Sequence, residues 1–298
     1  MTNGRIAAIV VTYNRCSILN QCLKALIKQT VKCDILVVDN HSTDETSLVV
    51  AALQNEGVLY QDTGKNLGGA GGFNFGMRWA VELDYDYLWL MDDDTIPSPT
   101  SLEELLNAGE MLNNNYGFLS SGVLWKDGTD CQMNRPRVKA RYCKDLQFLQ
   151  KGIVEIEQAT FVSFFCKSKI IKKAGLPIKE FFIWGDDVEF SRRIALQMGY
   201  PCYLISSSVV IHAMEQNLGS DLSVDMPDRI LRYEYAYRNE NYIYRREGIK
   251  RYFYWLTGCG MMFIKIILHS NHKITRCAVM IRGIFKGFFF RPQIEYCD

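Results

Sequence analysis

The amino-acid sequence predicts an α/β fold with a doubly wound, mostly parallel central sheet and a helical appendage at its C-terminus. Two observations lead to this prediction. Over the first hundred residues, short apolar runs rich in β-branched residues alternate with amphipathic helical segments, as in a parallel sheet whose strands are joined by helices. After residue 228 the composition becomes basic and aromatic, with a mostly helical periodicity.

Hydrophobic periodicity defines the elements of the first hundred residues. Residues 6–13 (IAAIVVTY) are apolar almost throughout, which is typical of a strand buried on both faces of a sheet. Asn14 is a candidate N-cap for a helix over about 16–29, and residues 42–45 (STDE) have the capping-box pattern of a second helix that ends near residue 54. Further strands are predicted at 35–38, 58–60 and 87–91, and a third helix at 73–83.

The pattern is weaker between about residues 98 and 180, and a second ordered stretch begins at Phe181. Helices are predicted over 101–112 and 188–198, and strands over 117–125, 155–165 and 206–212. Residues 126–150 are polar, basic and typical of a loop. We therefore predict a first domain over residues 1–228 and a basic, aromatic helical region over residues 229–298.

Composition and charge exclude several classes of protein. The chain has 298 residues, with 34 Lys and Arg against 33 Asp and Glu, and 48% of its residues are hydrophobic. These values exclude a disordered chain and a small disulfide-stapled scaffold. A net charge of +1 gives no general reason to expect a nucleic-acid partner. The charge is unevenly spread, however, since residues 1–228 carry −7 and residues 229–298 carry +8.

The ten cysteines contain no C-x-x-C pair and no Cys/His cluster with zinc spacing, although an even number would also allow disulfides. Near the N-terminus there are only six consecutive apolar residues, too few for the apolar core of a signal peptide. We therefore expect reduced, mostly buried thiols and a cytoplasmic protein.

The basic C-terminal region has two interpretations of equal weight. Residues 229–246 interleave Arg with Tyr, and residues 252–268 contain a single charge, Lys265. The second segment is at the short limit for a membrane span, for which about 20 residues are needed. The region is either an amphipathic surface on an anionic membrane or a helical subdomain that packs on the rest of the chain. Contact with a second copy of the chain is a further expectation, whereas RNA binding has no accompanying signature.

Three consecutive carboxylates, Asp92, Asp93 and Asp94, directly follow the predicted strand 87–91. Adjacent carboxylates repel one another and need a cation or hydrogen-bond donors. Because α/β sheets bind ligands at the carboxyl ends of their strands, this position predicts a site for Mg2+ or Mn2+. Alternation along the backbone places Asp92 and Asp94 on one side and Asp93 on the other. The alternative is a solvated acidic turn.

A glycine-dense stretch at residues 64–72 (GKNLGGAGG) can bring backbone N–H groups close to an anion or a sugar, and a flexible turn is an equally good interpretation. The sequence has no P-loop motif and no G-x-G-x-x-G after its first strand. P-loop NTPases and dinucleotide-binding Rossmann domains are therefore disfavoured.

A second acidic group lies in residues 184–189 (WGDDVE). Its carboxylates suit the start of a helix, where they complement the dipole, or a general base beside an apolar platform for a sugar. His212 ends the predicted strand 206–212; such a lone histidine is more often structural, but beside an aspartate group it is a candidate metal ligand.

Together these residues resemble family 2 glycosyltransferases with the GT-A fold. The matching motifs are VTYNR at 11–15, VVDN at 37–40 with Ser42 and Asp44, residues 66–72, MDDD at 91–94, WGDDVE at 184–189, and His212. They occur in the family's order over about residues 5–213. The KNLGGAGGF run, the triple aspartate and the W-x-D-D-x-E motif are most similar to the branch that includes bacterial galactofuranosyltransferases and rhamnosyltransferases.

The resemblance implies inverting transfer from a nucleotide-diphosphate sugar and a role for each matched residue. The nucleotide pocket would be lined by Thr12, Arg15, Asp39 and Asn66. Asp92, Asp94 and His212 would hold Mn2+ or Mg2+ on the donor diphosphate, and Asp93 would contact the donor ribose or sugar. Asp187 would deprotonate the acceptor hydroxyl. Asp186 and Glu189 would bind acceptor hydroxyls, and Trp184 would pack against a sugar ring.

The resemblance also implies partners. UDP-galactofuranose is the first expectation for the donor and dTDP-rhamnose the second. The acceptor would be a glycan or lipid-linked glycan of a bacterial surface polysaccharide, at the inner face of the cytoplasmic membrane. The chain lacks the long N-terminal region of polymerising galactofuranosyltransferases, so we expect the addition of one or a few sugars.

The sequence disfavours two other classes of protein. A sugar-1-phosphate nucleotidyltransferase should have a loop rich in Gly, Arg and Lys after its first strand, where this chain has Thr12 to Arg15 and no glycine. A catalytically inactive glycan-binding scaffold need not keep the carboxylates that the chemistry requires, and all of them are present.

Overall fold

The architecture is a mixed sheet with helices on both faces. A computed structural model describes residues 4–139 and 146–297. Within these residues the strands are β1 (Ile6–Thr12), β2 (Asp34–Asp39), β3 (Val58–Asp62), β4 (Tyr87–Asp92), β5 (Thr95–Pro97), β6 (Phe118–Trp125), β7 (Arg137–Val138), β8 (Ile153–Gln158), β9 (Phe164–Lys167) and β10 (Tyr203–His212). The helices are α1 (Cys16–Ile27), α2 (Thr46–Ala51), α3 (Gly68–Glu82), α4 (Ser101–Met111), α5 (Leu146–Gln150), α6 (Ser168–Ala174), α7 (Asp186–Arg192), α8 (Tyr233–Arg246), α9 (Ile249–His269) and α10 (Lys273–Phe289).

The sheet has the strand order β3-β2-β1-β4-β9-β6-β10-β8-β7, and β5 pairs with β10. Pairing is parallel from β3 through β2 and β1 to β4, and again between β6 and β10. Strand β9 runs antiparallel between β4 and β6. The predicted doubly wound, mostly parallel α/β sheet is thereby confirmed.

The first strand shows why its sequence is apolar at every position. Ala7, Ile9 and Val11 belong to one buried core, which includes Met77 of α3, and the alternate residues of the strand belong to another, which includes Leu23 of α1. Every residue of β1 is buried, since helices cover both faces of the sheet.

Helix α3 begins at Gly68, five residues before the predicted start. The glycine cluster is helical because the helix lies directly against β1. A Cβ atom on Gly72 would lie 2.5 Å from Val11 Cγ1, and one on Gly76 would lie 2.6 Å from Ile9 Cγ2. The absence of side chains therefore allows close packing of helix on sheet.

Both predicted N-caps are wrong. Asn14 has a left-handed φ of 53° and precedes the helix by two residues, and its Oδ1 accepts a hydrogen bond from Thr43 N at 2.7 Å. Ser42 Oγ donates to Asp39 Oδ1 at 2.6 Å instead of capping α2. Asn14 is therefore engaged by a residue distant in sequence. Ser42 is engaged by Asp39, three residues earlier, and its Oγ also accepts a hydrogen bond from Asn14 N at 2.8 Å.

Two further elements differ from prediction. The predicted strand 155–165 is divided into β8 and β9, because β8 pairs with β10 whereas β9 inserts between β4 and β6. Helix α7 begins at Asp186 and continues over Arg193–Gln197 in wider π-type turns. Within the predicted loop 126–150, residues 140–145 and the thiol of Cys143 lie outside the described residues.

The C-terminal helices surround a smaller core that includes Tyr233, Tyr237, Trp255 and Val279. Trp184 packs against this core, and Phe181 shares another small cluster with residues of α8. The helices therefore pack on the rest of the chain, as one of the two interpretations predicted. Over the described residues, no helix has both the length and the apolar composition needed to cross a lipid bilayer.

Candidate active site

A cavity of about 1400 Å3 opens at the carboxyl ends of β1 and β4. The strand order reverses between these two strands, and such a point is where α/β sheets bind ligands. The walls are the strand ends, the first turn of α3, the segment 182–188 and one face of α8. In the first turn of α3, two backbone N–H groups already have partners: Gly68 N donates to Asn66 Oδ1 at 2.8 Å, and Ala70 N donates to the Phe182 carbonyl oxygen at 3.2 Å.

Arg15 and Thr12 hold two of the three consecutive aspartates. The Arg15 guanidinium donates from Nη1 to Asp93 Oδ1 at 2.7 Å and from Nη2 to Asp94 Oδ2 at 2.8 Å. Thr12 Oγ1 donates to Asp93 Oδ2 at 2.8 Å. No described group donates a hydrogen bond to the Asp92 carboxylate, so its charge is the least compensated of the three.

Asp92, Asp94 and His212 could together hold a metal ion. Their ligand atoms all lie within 4.8 Å of one another. Asp94 Oδ1 is buried without a hydrogen-bond partner, although His212 Nε2 lies 3.0 Å away. Two neighbouring ligands of an octahedral ion with bonds of about 2.1 Å are separated by about 3.0 Å. The oxygen-rich donor set and this spacing fit Mg2+ or Mn2+.

Asn134 orients the histidine of this group. Its Oδ1 accepts a hydrogen bond from His212 Nδ1 at 2.7 Å, and its Nδ2 donates to Thr160 Oγ1 at 2.9 Å. Because Nδ1 carries a hydrogen in this arrangement, Nε2 is the ring nitrogen that faces the aspartates and can bind a metal.

The acidic group has strongly perturbed protonation. Burial, together with the neighbouring Asp94, raises the pKa of Asp92 to about 7. Burial raises the pKa of Asp93 to about 6, against the opposite effect of Arg15. For Asp94, burial is outweighed by His212 and Arg15, which lower its pKa to about 2. Burial lowers the pKa of His212, but the hydrogen bond and the charge of Asp94 have the larger, opposite effect and raise this pKa to about 10. A divalent cation would replace these protons as the compensating charge.

The segment 182–185 has a backbone conformation that residues other than glycine rarely adopt. The φ angles of Phe182, Trp184 and Gly185 are 64°, 63° and 88°. Such positions each cost about 1–3 kcal/mol for residues other than glycine and persist only where surrounding contacts impose them. The turn they form ends directly at Asp186 and Asp187, the first two residues of α7.

Asn239 of α8 provides those contacts. Its side chain is fully buried, and Nδ2 lies 3.1, 3.2 and 2.8 Å from the carbonyl oxygens of Phe181, Ile183 and Trp184. The Trp184 ring packs against Tyr233, with ring centroids 4.9 Å apart. The C-terminal helices therefore hold the turn that presents Asp187 to the cavity.

Asp187 has the properties of a proton acceptor. Its Oδ1 accepts a hydrogen bond from Val188 N at 2.7 Å, and no described group bonds Oδ2. Burial raises the pKa of Asp187 to about 6. Burial, with the neighbouring Asp187, also raises the pKa of Asp186. A carboxylate with a pKa near neutrality is suited to general base catalysis.

The cavity brings together ten of the twelve residues predicted from the sequence. They are Thr12, Arg15, Asn66, Asp92, Asp93, Asp94, Trp184, Asp186, Asp187 and His212. Asp39 and Glu189 do not line it. Asp39 accepts hydrogen bonds from Ser42 and from Tyr60 Oη, the latter at 2.7 Å. Both Glu189 oxygens bond Arg193, so the position of Glu189 does not support acceptor binding.

Sequence reasoning missed Asn134 and Asn239. It also missed Glu240 and Arg229, which line the cavity, the latter with its guanidinium 5.6 Å from the centroid of the Trp184 ring. Asn134 lies in a stretch without periodicity, and nothing local marks it. Asn239 and Glu240 lie in a run of alternating Arg and Tyr in which each polar residue reads as a solvated face. The sequence gives only the helical periodicity of residues 229–246, which does not show that one face of that helix lines a cavity.

The chain is similar in sequence to known proteins. A sequence profile of the family described as "Glycosyl transferase family 2" matches residues 7–168. Galactofuranosyltransferase GlfT1 of Mycolicibacterium smegmatis is 26% identical over 267 residues, which is 83% of this chain and 85% of that protein.

Two solved structures share the fold at 14% sequence identity. GalNAc-T7 with UDP, GalNAc and Mn2+ gives a TM-score of 0.60 over 81% of this chain, and the match spans 50% of that chain. S. aureus TarS 1–349 in complex with UDP gives a TM-score of 0.55 over 96% of this chain and 72% of its own. These similarities concern the fold, a GT-A type α/β arrangement.

Proposed function

Because the chain belongs to glycosyl transferase family 2 and is therefore a glycosyltransferase, we propose that it transfers a sugar from a nucleotide diphosphate to a hydroxyl of a glycan acceptor, with inversion. The observation that carries this proposal is one cavity containing both the Asp92, Asp94 and His212 group and the carboxylate of Asp187. The first could anchor a metal-bound diphosphate, and the second could activate an acceptor.

We propose UDP-galactofuranose as the donor. The similarity to a galactofuranosyltransferase over 83% of the chain supports it. UDP is also the nucleotide in two structures of similar fold. The alternative is dTDP-rhamnose, favoured only by the motif resemblance. Thr12, Arg15, Asn66 and Asp93 would contact the donor, and the guanidinium of Arg15 would exchange its aspartate partners for the nucleotide. Asp39 would act on the nucleotide pocket mainly through Ser42 and Tyr60, which it holds.

The chemistry assigned to the protein's own residues is a single displacement. Asp187 accepts the proton of the acceptor hydroxyl at Oδ2. The oxygen forms a bond to the anomeric carbon as the bond from that carbon to the diphosphate breaks, and the electron pair leaves with the diphosphate. Asp92, Asp94 and His212 would hold the metal ion, which would supply positive charge for the leaving diphosphate. No covalent sugar–enzyme bond is needed, so the anomeric configuration inverts.

The acceptor would lie against Trp184 and Asp186, which line the cavity beside Asp187. We propose a glycan or lipid-linked glycan of a bacterial surface polysaccharide. The C-terminal helices would bring the protein to the inner face of the cytoplasmic membrane. Their outer faces support this, since Ile274, Phe285 and Phe289 are 87%, 62% and 71% exposed in a region of charge +8. A second copy of the chain could instead cover these faces. Binding to anionic vesicles would support the membrane, and self-association in solution would support the second copy.

The experiment that tests the proposed function is donor turnover by the purified chain. UDP-galactofuranose, dTDP-rhamnose, UDP-galactose and UDP-glucose would each be offered with Mn2+ and with EDTA. We expect one donor to be hydrolysed or transferred in the presence of Mn2+ and not of EDTA. If the folded protein binds none of the four nucleotide sugars, the assignment of the cavity as a nucleotide-sugar site is overturned.

A further inference from the structure

Beyond the catalytic carboxylates, the cavity extends between the C-terminal helices. One face of α8 lines this extension through Tyr233, Ala236, Tyr237, Glu240 and Tyr244, which recur at the spacing of a helix stripe. Residues of α9 face them across the space, among them Tyr254, Trp255 and Gly258. A volume of about 1400 Å3 exceeds that of an ordinary single-ligand pocket, so the space can accept a second ligand beside the donor. We call the part between α8 and α9 the helix arm.

Glu240 is the one carboxylate that α8 contributes to the helix arm. Its Oε2 accepts a hydrogen bond from Trp255 Nε1 at 2.8 Å, and among the described residues Oε1 has no hydrogen-bond partner. Arg192 is close enough to act on its charge but pairs with Glu247 and lies 5.1 Å from the centroid of the Tyr244 ring. Burial raises the pKa of Glu240, which reflects the cost of this position.

Two carboxylates that are buried in the interior serve structure and have both oxygens paired, whereas Glu240 is only partly buried and lines the cavity. Both oxygens of Glu189 bond Arg193, and both oxygens of Asp39 accept hydrogen bonds from Ser42 or Tyr60. Buried polar atoms are normally paired because an unpaired one loses its solvation without a replacement. Glu240 therefore presents a fixed acceptor, oriented by Trp255, to whatever fills the helix arm.

A hydrogen bond from α8 links the helix arm to the end of the cavity where Asp187 lies. Asn239, adjacent to Glu240, bonds the carbonyl oxygen of Trp184, three residues before Asp187. An acceptor whose terminal hydroxyl lies at Asp187 would thus extend along α8 past Glu240. A carboxylate among tyrosine and tryptophan rings suits a neutral sugar, whose hydroxyls donate to the carboxylate while its C–H face packs on an aromatic ring.

We propose that the helix arm is an acceptor subsite for a neutral sugar residue and that Glu240 Oε1 accepts a hydrogen bond from one of its hydroxyls. The inference rests on the proposed function and adds to it a location for the acceptor, on the C-terminal helices. It also assigns specificity to residues outside the motifs of the first domain.

Two pairs of variants test this subsite. Glu240→Gln removes the charged acceptor, and Glu234→Gln on the same helix is its control, since Glu234 pairs with Lys286 and Arg282 outside the cavity. Gly258→Leu fills the helix arm, because nothing lies within 4 Å of a Cβ placed there. Gly260→Leu is its control, because it has equal space on the same helix and does not line the cavity. Leucine is a better helix former than glycine, so the fold should be kept.

The measurement is saturation-transfer NMR with the protein saturated by UDP and Mg2+. The probes are the methyl glycosides of β-galactofuranose, α-rhamnopyranose, β-galactopyranose and β-glucopyranose. We expect at least one to bind the unaltered protein. Its affinity should fall about tenfold to a hundredfold in Glu240→Gln, the cost of losing a hydrogen bond to a charged group. Gly258→Leu should abolish binding, and both controls should stay within twofold.

Two results would overturn the subsite: binding of no methyl glycoside to a protein that binds UDP, or equal binding by Glu240→Gln, Gly258→Leu and the unaltered chain. Failure of the proposed function has a different signature, because UDP itself would then not bind.

Discussion

The turn before Asp187 depends on one buried amide, and Asn239→Ala removes it. Alanine keeps the helix. The Phe181 carbonyl would still accept a hydrogen bond from Arg238 Nη2 at 3.1 Å, whereas those of Ile183 and Trp184 would have no described donor. Each unpaired buried carbonyl costs about 1–3 kcal/mol, so two cost about 2–6 kcal/mol, with water entry favouring the lower end. About 3 kcal/mol would reduce the population of the native turn about a hundredfold.

Asn241→Ala is the matched control for this change. Asn241 is equally buried on the same helix, but its Nδ2 donates to the Ile284 carbonyl of α10 at 2.9 Å, away from the turn. Urea unfolding should report a loss of about 2–6 kcal/mol in Asn239→Ala, which leaves two carbonyls unpaired, and about 1–3 kcal/mol in Asn241→Ala, which leaves one. Turnover of the nucleotide sugar should fall tenfold to a hundredfold in Asn239→Ala and stay within threefold in Asn241→Ala. Equal turnover in the two variants would refute the claim that α8 holds the turn.

Three other predictions concern the same cavity. Gly68→Ala should destabilise the protein by more than about 2 kcal/mol in urea unfolding, because φ is +72° and the new Cβ would lie 2.1 Å from the Phe182 carbonyl oxygen. Gly69→Ala, with open space, should be neutral or stabilising, and equal losses would contradict the packing argument. Asn134→Ala should weaken Mn2+ binding about tenfold to a hundredfold by calorimetry, since His212 loses the acceptor that orients it; unchanged affinity would contradict the orienting role of Asn134. Because burial raises the pKa of Asp187 to about 6 and the base must be unprotonated, turnover should be level above that pH and fall tenfold per unit below it; a flat profile down to pH 5 would contradict this role.

The sheet was predictable because its strands carry their own signal. A strand buried on both faces must be apolar at every position, and β1 is read directly from this requirement. The caps were not predictable, because Asn14 bonds Thr43 and Ser42 bonds both Asp39 and the backbone N–H of Asn14, contacts that the capping pattern does not contain. The start of α3 was misplaced for a related reason. The glycines that ordinarily weaken a helix are needed there for contact with β1.

The candidate site divides in the same way. Residues at strand ends and in compact motifs, such as Asp92 and Asp187, are recognisable because their chemistry is concentrated in a few positions. Asn239 and Glu240 act across about 55 residues of sequence on a turn and a cavity that exist only after folding. A single sequence shows them as polar residues of an amphipathic helix. Their contacts are tertiary, and only the fold identifies them.

The most direct measurement is turnover of the selected nucleotide sugar by Asp187→Asn at saturating Mn2+, with UDP binding measured on the same sample. We expect unchanged UDP affinity and turnover reduced by about a hundredfold or more, because asparagine cannot accept the proton of the acceptor hydroxyl. Turnover within threefold of the unaltered protein, with UDP bound equally well, would contradict the assignment of Asp187 as the base and of the part of the cavity around Asp187 as the site of transfer.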